Sequence, residues 1–136
     1  MFLAVNAQAG TLHWCWLNSM AGEQMVAAVG GLKNYTEVAT VVWDGAPGHR
    51  HEWVREWGVP LIGLPPYSPE LNPAERVFEE VRREIEGKEY ATLDEKMKAV
   101  QNFLTDLESD PERVRSLTWW DWIKAAVQQL PTSYAA

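Results

Sequence analysis

The chain opens on two short apolar runs separated by small residues. Phe2, Leu3, Ala4 and Val5 form a strand-like run, Gln8, Ala9 and Gly10 mark a turn, and from Thr11 to Leu17 polar and aromatic positions alternate. This pattern predicts a β-hairpin. Asn18 and Ser19 are candidate caps of a following helix, with Met25, Val26 and Val29 on its apolar face and Gly30-Gly31 at its end. Residues 37–43 hold Val38, Val41, Val42 and Trp43 almost without polar interruption, the pattern of a strand covered on both faces, as in a parallel sheet. Asp44-Gly45 stops that run. Residues 51–57 predict a short helix ending at Gly58, and residues 59–64 a second short buried strand. A proline-rich loop follows, and from Pro73 a helix is expected to about Gly87, with Val77, Val81 and Ile85 four apart on one side. Thr92 predicts the cap of a helix to about Leu107. A last helical stretch, residues 111–130, is expected to break near Thr118. Strand, helix, strand, helix, strand and then helices is an α/β order.

Length adds one constraint: 136 residues make one domain, long enough to bury a core. Residues 1–90 hold the sheet elements and residues 91–136 the C-terminal helices. Eight tryptophans load core or interfaces with aromatic surface. A net charge of −7 gives no global basic footprint for nucleic acid, although acidic active-site residues contribute to such a balance themselves. Cys15 is the single cysteine, so an intramolecular disulfide and a Cys-rich zinc site are both excluded, and a reducing cytoplasm fits. The first ten residues lack a basic n-region, and no apolar window reaches the length of a membrane span, so neither a signal peptide nor a membrane association is expected.

Two carboxylates stand where chemistry is plausible. Asp44 ends a predicted buried strand, and in open α/β sheets ligands bind in the crevice beyond the carboxyl ends of the strands. A metal-dependent phosphoryl-transfer site needs rigidly held oxygen ligands of this kind. The ordinary alternative is that Asp-Gly is a common turn pair. Glu75 follows Asn72 by three positions with Pro73 between, so Asn-Pro-Ala-Glu also reads as a helix cap with a capping-box glutamate. On a helix, Glu75 shares a face with Phe78, Glu79 and Arg82, away from Val77, Val81 and Ile85. The segment that delivers it contains four prolines, which stiffen the backbone and suit a preorganised site or a plain rigid connector.

At this point a resemblance becomes specific. Val41-Val-Trp-Asp-Gly-Ala-Pro-Gly-His49, followed by Leu64-Pro-Pro-Tyr-Ser-Pro-Glu-Leu-Asn-Pro-Ala-Glu75, resembles the catalytic core of mariner-like DDE transposases of the bacterial insertion-sequence branch. The stretch from Pro111 to Ile123 looks like that branch's C-terminal end, so the likeness covers nearly the whole chain. The resemblance implies a ribonuclease H-like (retroviral-integrase-like) fold and three acids that bind two divalent metals, Mg2+ or Mn2+. It implies DNA cleavage at a transposon end followed by strand transfer, in the bacterial cytoplasm at the nucleoid. It assigns Asp44 to the second acid, Glu75 to the third, and His49 to a histidine found shortly after the second.

By the same resemblance, residues 2–6 and 11–17 correspond to the second and third strands of the fold. The first strand, its acid and an N-terminal helix-turn-helix region are therefore expected to precede Met1. With one acid missing, weak metal binding and little activity in the isolated chain are expected. So is closure of the sheet by a homo-oligomer or by an upstream chain carrying the first strand. An alternative from another class stays open: a non-catalytic remnant that acts as an assembly or interaction module.

Arg50, Arg76, Tyr67 and Ser68 are candidate DNA contacts, with Arg55, Arg82 and Arg83 as further cations that helix solvation explains equally well. His49 and His51 form either a transition-metal pair or a solvated pair at a helix start. His13 is expected to pack among tryptophans. Trp119, Trp120 and Trp122 are either a packing anchor or a stacking surface for bases.

Overall fold

A computed structural model describes residues 1–17, 24, 27, 28, 31, 41–43, 61–65 and 68–128 of the chain. Within these the architecture is mixed α/β. Strands β1 (Phe2–Asn6) and β2 (Thr11–Cys15) pair antiparallel, with Leu3 opposite Trp14 and Val5 opposite Leu12. Strands β3 (Val41–Trp43) and β4 (Leu61–Gly63) pair in parallel, with Trp43 level with Gly63. The described strands thus make two separate two-stranded sheets, with no ladder between them. Four helices follow: α1 (Pro73–Ile85), α2 (Leu93–Glu108), α3 (Pro111–Thr118) and α4 (Asp121–Val127).

α2 starts at the cap expected from the sequence, and α3 at one the structure adds. The Thr92 hydroxyl accepts from the Glu95 amide at 3.1 Å, and the Asp110 carboxylate accepts from the Arg113 amide at 3.2 Å. The break between α3 and α4 falls at Trp119 and Trp120, next to the expected position at Thr118. Gln24, Ala27, Ala28 and Gly31 are helical, and the rest of the helix expected there lies outside the described residues, as does the helix expected over residues 51–57.

Strand alternation decides what the hairpin buries. Leu3, Val5, Leu12 and Trp14 face a core shared with Val77 and Val81 of α1, Val100, Leu104 and Leu107 of α2, and Val114 of α3. The opposite face carries Phe2, which is buried, and His13, which meets the Phe2 ring edge-on at 6.0 Å. A Cβ on Gly31 would come within 2.9 Å of the His13 ring, so Gly31 packs against this second face. His13 thus packs against Phe2 and Gly31, where packing among tryptophans was expected. Burial also raises the pKa of the nearby Cys15 thiol above its ordinary value. The indole of Trp14 donates to the Glu108 carboxylate at 3.0 Å and ties β2 to the end of α2.

The hairpin turn is fixed to α3 by backbone contact. Gly10 has a positive φ of 75°, and a Cβ there would lie 2.3 Å from the Pro111 carbonyl oxygen. One residue earlier, the Ala9 carbonyl accepts from Arg115 at 2.9 Å. Gly10→Ala combines left-handed strain with a backbone clash, and is expected to destabilise the chain by about 3 kcal/mol. Urea unfolding checks this, and a change within error of wild type would contradict the close approach.

Candidate functional site

The parallel pairing of β3 and β4 sets the geometry of the candidate site. Both strands run the same way, so the chain leaves both at the same end of the sheet. Asp44 follows Trp43 directly in sequence at that end, while its own placement lies outside the described residues. His49, Arg50 and Tyr67 also lie outside them. From the end of β4 the chain passes through Leu64 and Pro65, and from Ser68 it is described continuously to the start of α1.

The proline segment contains more structure than a plain loop. Pro69–Leu71 is a 3-10 turn preceded by Ser68, whose carbonyl accepts from the Leu71 amide at 3.1 Å. This turn changes how α1 is capped. The Asn72 amide donates to the Pro69 carbonyl at 3.0 Å, and the Asn72 side chain accepts from the Ala74 amide at 3.1 Å. A capping-box glutamate would instead accept from the Asn72 amide. With that amide taken by the turn, the Glu75 carboxylate has no hydrogen bond or ion pair among the described residues. Glu75 is half-buried, while Ala74, Val77 and Val81 of the same helix are buried. Helical geometry therefore holds its carboxylate off the core, on a backbone fixed by Pro73 and the preceding turn.

Arg76 is partly buried. Its guanidinium sits 4.8 Å from the Trp120 ring centroid and pairs with Glu79 on its own helix. Its Nε is buried without a hydrogen-bond partner. Leaving such a donor unmet costs about 1–3 kcal/mol, which the cation–π contact and the ion pair offset in part. The Trp120 ring packs on that of Trp122 at 4.6 Å, and the Trp122 indole donates to the Glu70 carbonyl at 3.3 Å. Sequence reading did not find this link between the C-terminal helix and the turn before Glu75, because no local pattern pairs residues so far apart. On the rest of α1, Arg83 pairs with Glu80 at 2.6 Å, the solvated helix charge pairing that the sequence allowed for.

The donor set suits a hard divalent cation as far as it is described. Glu75 offers carboxylate oxygens that no group among the described residues engages, and hard cations take oxygen ligands. No cluster of three or more acidic, histidine or cysteine side chains able to hold a metal occurs among the described residues, which include Glu75 but not Asp44 or His49. No described helix is long and apolar enough to cross a membrane. No curated protein matches the chain. A family does: that described as DDE superfamily endonuclease matches residues 1–98.

Proposed function

The chain belongs to the DDE superfamily endonuclease family, and from that premise we propose that it is the catalytic part of a transposase that cuts and joins DNA, with Asp44 and Glu75 as two of its metal-binding carboxylates. The observation that carries this is the state of Glu75: a carboxylate at a helix start, displaced from the cap by a 3-10 turn and without a partner among the described residues. The same sheet end that sends the chain toward Glu75 is the one that Asp44 follows. The Asp-Gly-Ala-Pro-Gly-His run from Asp44 to His49 and the proline segment ending at Glu75 support the mariner-like, bacterial insertion-sequence branch. A hairpin followed by a parallel pair and helices supports a ribonuclease H-like arrangement.

In this reading residues 1–136 form one domain, with residues 1–90 as the catalytic elements and 91–136 as helical support. Asp44 and Glu75 hold and orient Mg2+ or Mn2+, which supplies charge stabilisation to the phosphoryl-transfer transition state. His49 holds a phosphate oxygen or water beside them. Arg50, Tyr67, Ser68 and Arg76 are the DNA-side contacts, with Arg76 acting from its place against Trp120. A further strand carrying the family's first acid, from a preceding segment or another chain, joins the two sheets and completes the site at the bacterial nucleoid.

Asp44→Ala tests the metal assignment. Calorimetry is expected to show Mn2+ affinity reduced by about a hundredfold, at least the loss typical of removing a mere partner of a metal ligand. Equal affinity in both proteins sinks it.

A further inference from the structure

The two tryptophans that flank the start of α4 reach the catalytic helix on both sides of Glu75. Trp122 donates its indole N–H to the carbonyl of Glu70, in the turn before the helix. Trp120 lays its ring under the guanidinium of Arg76, the residue immediately after Glu75. The rings pack on each other at 4.6 Å, so the two contacts form one unit. Arg76 keeps this position although its Nε is buried and unpartnered, so the arrangement is held by the ring and by the hydrogen-bonded ion pair with Glu79. Nearly half of the Trp122 side chain stays in solvent (49%), so this ring is not filling a core.

We propose that Trp120 and Trp122 are positioning residues for Glu75: together they clamp the 3-10 turn and the first turn of α1, and so fix the direction in which the Glu75 carboxylate is presented to metal. The proposal rests on the metal-binding role of Glu75. It assigns the C-terminal helix a part in the site that its distance along the chain from Glu75 conceals. Metal affinity depends on groups that orient the ligands as well as on the ligands themselves, and a clamp that removes rotational freedom before binding spares its entropy cost on binding.

The test uses the full chain with Trp120→Leu, Trp120→Phe, Trp122→Phe and Glu75→Gln. Hydrogen exchange of the amides at the start of α1 is read by mass spectrometry, and Mn2+ affinity by calorimetry. Trp120→Leu, which removes the π face, is expected to speed exchange there by about tenfold, the equivalent of one cation–π contact. It is expected to weaken Mn2+ binding by about tenfold. Trp120→Phe keeps an aromatic face and is expected to restore most of both. Trp122→Phe removes the indole donor but keeps a smaller aromatic ring, and is expected to give a smaller change of the same sign. Unchanged exchange in Trp120→Leu overturns the clamp. Faster exchange with unchanged Mn2+ affinity, while Glu75→Gln does weaken binding, overturns the positioning role alone. If Glu75→Gln binds Mn2+ as wild type does, the metal role of Glu75 fails and takes this proposal with it, whatever the exchange shows about the clamp.

Discussion

Glu75→Gln is expected to lower Mn2+ affinity by about a hundredfold or more while leaving the thermal transition close to that of wild type. The size follows from chemistry: the substitution removes a charged oxygen ligand, and loss of a ligand's mere partner already costs up to about a hundredfold. The small effect on folding follows from the structure. Glutamine is nearly as good a helix former as glutamate. The cap of α1 is made by Asn72 to Ala74 and by Asn72 to Pro69, neither of which involves the Glu75 side chain. A capping-box glutamate would behave in the opposite way, losing stability with no change in metal affinity. Calorimetric titration beside a melting curve separates the two, and a destabilised variant that still binds Mn2+ normally would return Glu75 to a capping role.

Leu104→Ala should carry the largest stability penalty of any single truncation considered. Leu104 is fully buried (0% exposed) and belongs to a cluster fed by every large element around it: Leu12 from the hairpin, Val77 and Val81 from α1, Leu107 from α2 and Val114 from α3. Truncating a buried leucine costs about 2–5 kcal/mol, because lost transfer energy adds to a cavity that neighbours fill only partly. Against a total stability of about 5–15 kcal/mol this is a large fraction, and it corresponds to a fall in Tm of roughly 10 °C. The same cluster seats α1 against the hairpin, so the position of Glu75 depends on it indirectly. Well below the transition, Mn2+ binding by the variant should be nearly normal. A fall of under about 2 °C would mean that the core is not centred on α2.

What could be read from the sequence was local. The hairpin follows from alternation on both sides of a small-residue turn, and the start of α2 follows from Thr92, while the Asp110 cap of α3 came only with the structure. The interruption expected near Thr118 falls at Trp119 and Trp120. The proline segment was legible as stiff but not as a 3-10 turn, and that turn decided the cap of α1 by taking the Asn72 amide from Glu75. Propensity cannot anticipate such competition between two acceptors for one donor. The contacts of Trp120 and Trp122 were illegible for a different reason: they are made across more than forty residues by side chains whose local spacing says only that they are aromatic. Asp44 and His49 rest on their motif and on the end of β3, since their own placement lies outside the described residues.

The central claim is that Asp44 and Glu75 share a divalent ion. Anomalous diffraction at the manganese edge, from crystals of the chain soaked in Mn2+, tests it most directly. The account predicts an anomalous peak within ligand distance, about 2.0–2.2 Å, of a carboxylate oxygen of each residue. Manganese bound elsewhere, or bound by Glu75 with Asp44 turned into an ordinary Asp-Gly turn away from it, would contradict the account.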